Sequence, residues 1–110
     1  MFKINPAPTF TVAVPLSVPG LPEPLEISIT YRHKNREALA KYLADLAGKQ
    51  HTAYLHEIIE GWSGIHGPDG EPLPYSLTAL TDLLGNYSVA HAELLAAYTR
   101  ELTEQKRKNY

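Results

Sequence analysis

Four prolines within ten residues separate two runs of alternating apolar and polar residues, and this arrangement constrains the fold more than any other feature of the chain. Residues 9–14 place Phe10, Val12 and Val14 on one side and Thr9, Thr11 and Ala13 on the other. Residues 25–31 place Leu25, Ile27, Ile29 and Tyr31 opposite Glu26, Ser28 and Thr30. A period of two, rich in β-branched residues, predicts strands with one buried face. Between them, Pro15, Pro19, Pro22 and Pro24 cannot donate to a ladder, and Pro19-Gly20 signals a turn. The expectation is an antiparallel hairpin with a long loop. Pro19-Gly-Leu-Pro22 also fits the loose PxxP pattern read by SH3-type domains, but its place between two strands makes it a hairpin loop.

Helical spacing takes over after residue 34. Leu39, Tyr42, Leu43 and Leu46 predict a helix over about 35–47, with Gly48 as its stop. Tyr54, Leu55, Ile58, Ile59 and Trp62 predict a second, ending between Gly61 and Gly64. Residues 63–74 read as a loop, with a β-turn at Pro68-Asp69-Gly70. Ser76 can cap a third helix carrying Leu77, Leu80, Leu83, Leu84 and Tyr87. Ser88 can cap a fourth, with Val89, Leu94, Leu95, Tyr98 and Leu102, running to about Lys106. Its end carries Lys106-Arg107-Lys108, which suits the negative end of a helix dipole. The expected class is α+β, mostly helical: one domain over 1–110, with a β-hairpin in 1–33 and about four helices in 34–110. Helix is expected over more than half the chain. A lone two-stranded hairpin is marginal in water, so it packs on the helices or pairs its edges with another subunit.

Composition removes whole classes of function. The 110 residues contain no cysteine, which excludes disulfides, thiolate zinc sites and cysteine nucleophiles. The net charge is −2, against the basic excess expected of a protein that lives on nucleic-acid phosphates. No run approaches the roughly 18 apolar residues of a membrane span, and the amino-terminal residues lack the apolar core of a signal peptide. Cytoplasmic residence is the expectation. His56-Glu57-Ile58-Ile59-Glu60 resembles the HExxH zinc helix but lacks its second histidine. Gly61-Trp62-Ser63-Gly64 misses the nucleophile elbow by one position, where Ile65 stands. No acid/base pair assembles, so neither an enzyme nor a cofactor is expected.

The order of short motifs is distinctive. It runs Pro8-Thr-Phe10, Val14-Pro-Leu-Ser-Val-Pro-Gly20, Thr30-Tyr-Arg-His-Lys34 and Arg36-Glu-Ala-Leu39. It continues with Glu57-Ile-Ile-Glu-Gly-Trp62, Pro74-Tyr-Ser-Leu-Thr-Ala-Leu80, Leu83-Leu84, Tyr87, Tyr98 and Lys108-Asn109. Over essentially its whole length the chain resembles the tail assembly chaperones of long-tailed bacteriophages with flexible, non-contractile tails. One departure is Ser88, where the family pattern has proline; either residue can begin a helix. The resemblance implies a non-enzymatic assembly factor of the host bacterial cytoplasm, absent from the mature virion. It implies binding to the tape measure protein, which is kept soluble while tail tube subunits polymerise around it. A frameshifted longer form would bind the tail tube protein, and the chain would form homo-oligomers. A structural head–tail joining or minor tail protein is the alternative, and the two differ in whether the chain remains in purified virions. Candidate protein-binding residues on the apolar stripes are Tyr54, Ile58, Trp62, Leu80, Leu84 and Tyr98. Trp62 has two readings: a core tryptophan, or a partly exposed anchor for an apolar helix of the partner.

Overall fold

The computed structural model describes residues 1–106. Strands β1 (Thr9–Leu16) and β2 (Leu25–Arg32) form the expected hairpin, in register from Thr9 opposite Arg32 to Leu16 opposite Leu25. Pro15 lies within β1 rather than in the loop, and the hydrogen-bond alternation explains why. His33 N–H donates to Pro8 O at 2.9 Å, so the bonded pairs of β1 with β2 are its even-numbered residues. Pro15 therefore turns its nitrogen to the free edge, where the ladder needs no donor. The connection shrinks to residues 17–24 and turns at Gly20, whose φ of +87° glycine adopts without steric cost.

A third strand corrects the expectation for the middle of the chain. Helix α1 (Arg36–Ala44) is followed by α2 (His51–Ile58), and α2 stops where β3 (Ile59–Ser63) begins. Trp62 is thus a strand residue, paired with Ile29 of β2. The stripe Tyr54, Ile58, Trp62 satisfies helical spacing, but the free edge of β2 offers hydrogen bonds and a buried face, and tertiary pairing overrides local period. A bulge at Glu60 lets both Ile59 and Trp62 face the core side. Arg32 fixes the transition: its Nη1 donates to the carbonyls of His56, Glu57 and Ile59 at 3.2, 3.2 and 2.9 Å, satisfying acceptors that the helix end leaves unpaired.

Helices α3 (Leu77–Asn86) and α4 (Ala90–Thr103) complete the layer. Ser76 caps α3 as expected, its Oγ accepting from Ala79 N–H at 3.0 Å, and Asn35 caps α1 in the same way. Ser88 does not cap α4; the cap position is Val89, whose side chain carries no acceptor. Among the described residues helix amounts to 39% and strand to 22%, so the fold is α+β with helix the larger share, though short of the half expected. Arg107 and Lys108 of the basic terminal cluster lie outside the described residues; Lys106 pairs with Glu101 of α4.

The strand order is β1-β2-β3 and the helices cover one face. On that face Val14, Ile29 and Tyr31 meet Leu55, Ile58, Leu80, Leu94 and Tyr98, all fully buried. The opposite face carries Thr9, Thr11, Ala13, Ser28, Thr30 and Ser63, with Thr11 and Thr30 hydroxyls 2.8 Å apart. It has no large apolar side chain to bury, so two layers suffice.

Candidate functional site

The six candidate binding residues divide between the core and its margin. Ile58, Leu80 and Tyr98 are fully enclosed, and Tyr54 nearly so. Trp62 and Leu84 pack against the core while remaining partly exposed. The apolar stripes from which they were chosen therefore read the inside of the protein.

Tyr98 sits at the centre of an aromatic cluster. Its ring centroid lies 5.0 Å from Tyr31, 6.0 Å from Phe10 and 6.2 Å from Tyr42. Each tyrosine of the cluster donates to a backbone carbonyl on another segment: Tyr31 to Leu94 at 2.7 Å, Tyr42 to Tyr54 at 2.6 Å and Tyr98 to Arg32 at 2.8 Å. These bonds tie α4 to the sheet and α1 to α2, and they satisfy hydroxyls that burial would otherwise leave costly. Burial, with a smaller contribution from Glu57, pushes the Tyr98 phenol up to about 12. Tyr31 and Tyr42 are raised further, again chiefly by burial.

Trp62 is a clamp. Its Nε1 donates to Leu73 O at 2.8 Å, and its ring meets Tyr75 edge-on at 4.9 Å. Tyr75 in turn shares a 2.7 Å hydrogen bond with His56 Nδ1. Together they hold a small hairpin over residues 65–73, closed by Leu73 N–H to Ile65 O at 2.8 Å and turned at Pro68-Asp69-Gly70. With its polar atom engaged and one face packed, Trp62 is held in place by its own chain.

The histidine-glutamate fragment dissolves in three dimensions. Because α2 ends at Ile58, His56 and Glu60 do not share a helical face. Glu57 pairs with Lys34 at 3.2 Å and Lys49 at 3.7 Å. Among the described residues, no three histidine, aspartate or glutamate side chains are placed to hold a metal ion.

Shallow clefts mark the described surface. One, of about 560 Å3, has Leu39, Leu43 and Leu102 beneath a rim of His33, Lys34 and Arg36. Another, of about 290 Å3, lies at the free edge of β1, between Pro15 and the flank of α4 formed by Val89, Ala92 and Ala96. The end of β1 is tied to α4 by Glu93, whose carboxylate accepts from Ser17 N–H at 3.0 Å and Ser17 Oγ at 2.6 Å. Sequence reading missed Arg32, Tyr75 and Glu93 as organising residues, because their partners lie 13 to 76 positions away or are backbone atoms. No described helix is long and apolar enough to cross a membrane.

No curated protein and no solved structure matches the chain. The family profile described as phage tail assembly chaperone matches residues 1–109. A match over nearly the whole length covers the hairpin, the third strand and all four helices together, and the chain belongs to the phage tail assembly chaperone family.

Proposed function

We propose that this protein is a non-catalytic factor that binds the tape measure protein, keeps it soluble and promotes tail tube polymerisation around it. The family match over residues 1–109 is the observation that carries this reading. It acts in the host cytoplasm, leaves before the tail is complete, and associates with further copies of itself. A frameshifted longer form connects it to the tail tube protein.

The structure supports a binding rather than a catalytic role. Beyond the amino-terminal arm, its exposed large apolar side chains among the described residues are Leu21, Leu25, Leu43, Leu73, Leu77 and Val89, each between 36% and 55% exposed. Exposed apolar surface of this kind suits contact with another apolar chain. Of the six residues on the stripes, Trp62 and Leu84 have surface to give a partner without opening the core.

Co-expression tests the reading. With this chain present, tape measure protein stays in the soluble fraction; without it, the same protein is recovered as aggregate. Mass spectrometry of purified tails should then find no copies of the chain. Stoichiometric copies in finished tails would instead make it a structural head–tail or minor tail component.

A further inference from the structure

We infer that the free edge of β1, with the arm that precedes it, is the interface with a second copy of this chain, two β1 strands pairing antiparallel about an axis at Thr9. This deepens the self-association in the proposed function and rests on that part of it. Four observations on separate residues converge on the same register.

The first is the donor row. Even-numbered residues of β1 bond to β2, so Thr9, Thr11 and Ala13 point their N–H and C=O groups outward. Residues 1–8 lie outside any element and are exposed. Their prolines, Pro6 and Pro8, fall on even positions, so in an extended arm they remove donors only from the inward side. Asn5 and Ala7 precede these prolines and are biased to extended backbone. The outward row Asn5, Ala7, Thr9, Thr11, Ala13 is thus free of proline until Pro15. Setting Thr9 opposite the partner's Thr9 matches this row with its copy, Asn5 to Ala13 and Ala7 to Thr11.

The second is the arm's apolar residues. Phe2 and Ile4 are 99% and 93% exposed, with nothing among the described residues to cover them. In this register Ile4 falls beside Val14 and Phe2 beside Leu16 of the other copy, on either side of Pro15. Even positions share the helix side of the sheet. Both side chains therefore face the cleft between Pro15 and α4, whose roughly 290 Å3 is bordered by Val89, Ala92 and Ala96. The bend at Ile4 and Asn5 in the free chain opens as the arm docks.

The third is space for the helices. Tyr98 stacks on Phe10, and Glu93 binds Ser17, so α4 overlies β1 from residue 10 to residue 17. With the axis at Thr9 the two α4 helices follow one another along the joined sheet, and each lies beside the other copy's arm. Moving the axis toward Ala13 would force them side by side. The fourth is charge. Lys3 comes opposite Pro15, whose neighbour on β2 is Glu26 on the same outer face. Two strand spacings, about 10 Å, are within reach of a lysine and a glutamate together.

The test uses the full chain, which has no native cysteine. Single variants Thr9→Cys, Thr11→Cys and Ala13→Cys are oxidised mildly and run without reductant. Opposed residues of a bonded pair lie about 5.5 Å apart at Cα, inside disulfide range. Thr9→Cys should give a covalent dimer, while residues 11 and 13 sit about 14 and 27 Å from their copies and should not. In sedimentation equilibrium, Thr11→Pro removes an outward donor, and the Phe2→Ala/Ile4→Ala pair empties the cleft. Each should weaken the dimer at least tenfold with an unchanged circular dichroism spectrum. Should Thr11→Pro unfold, the arm pair decides, since the arm lies outside the fold. A chain monomeric at all concentrations, cross-linking that prefers residue 11 or 13, or a dimer indifferent to the arm would overturn the inference. A monomer that still keeps tape measure protein soluble overturns this interface alone; a normal dimer that cannot do so overturns the chaperone reading alone.

Discussion

The two edges of the sheet are built in opposite ways. The β3 edge is five residues long, kinked by the bulge at Glu60, and followed at once by Gly64 with φ +89° and the hairpin that Trp62 clamps. Short, bulged, crowded edges resist further pairing. The β1 edge is eight residues long, regular throughout, and extended by an arm with exposed Phe2 and Ile4. It is closed only at one end, by Pro15 and the Glu93–Ser17 bonds. Local chemistry thus leaves one side of the sheet open to further pairing and protects the other. The interface inferred above would use this difference to select one geometry of pairing over others.

The aromatic cluster beneath both edges holds the comparison together, and its loss has the largest expected effect. Tyr98→Ala should destabilise by about 3–5 kcal/mol and abolish both edges at once, read as a lower urea midpoint or outright unfolding. Tyr98→Phe keeps the packing but orphans the Arg32 carbonyl, and should cost about 1–3 kcal/mol.

Trp62→Ala separates the two sides. It should release the 65–73 hairpin and cost about 2 kcal/mol, since the ring is only partly buried. Dimerisation through β1 should survive in the folded fraction. A variant that stays folded and dimeric but no longer solubilises tape measure protein would favour the anchor reading of this residue.

Arg32→Ala should cost about 1–2 kcal/mol by stripping donors from the carbonyls at the α2–β3 junction, with the loss visible as faster exchange there. Arg32→Met, which keeps the stem but not the donors, should reproduce it.

Alkaline pH gives a graded test of the cluster. The Tyr98 phenol stands at about 12, above its unfolded value near 10. The unfolded chain therefore releases this proton first, and stability present below pH 10 falls as pH rises toward 12. Tyrosine absorbance should change together with unfolding in that window, rather than as an independent titration near 10.

How much of this was legible depends on the range of the cause. The two hairpin strands and the Ser76 cap follow from alternation and a capping residue, both local. The β3 strand was hidden because Tyr54, Ile58 and Trp62 satisfy helical spacing, and only the distant edge of β2 decides otherwise. Tyr31 and Tyr42 meet Tyr98 across 67 and 56 positions, which no window detects. Stripe residues proposed as binding positions were mostly core for the same reason: helical periodicity reports what a helix buries against its own domain. The free edge was foreseen for a two-stranded hairpin, but which edge stays free required the third strand.

Residue-resolved amide exchange across a concentration series tests the edge asymmetry most directly. The amides of Phe10, Val12 and Val14, bonded to β2, should be protected at every concentration. Those of Thr9, Thr11 and Ala13 should exchange fast in dilute solution and become protected as concentration rises, with the amides of β3 unchanged. Outward β1 amides that remain fast at all concentrations, or new protection appearing along β3 instead, would contradict the account.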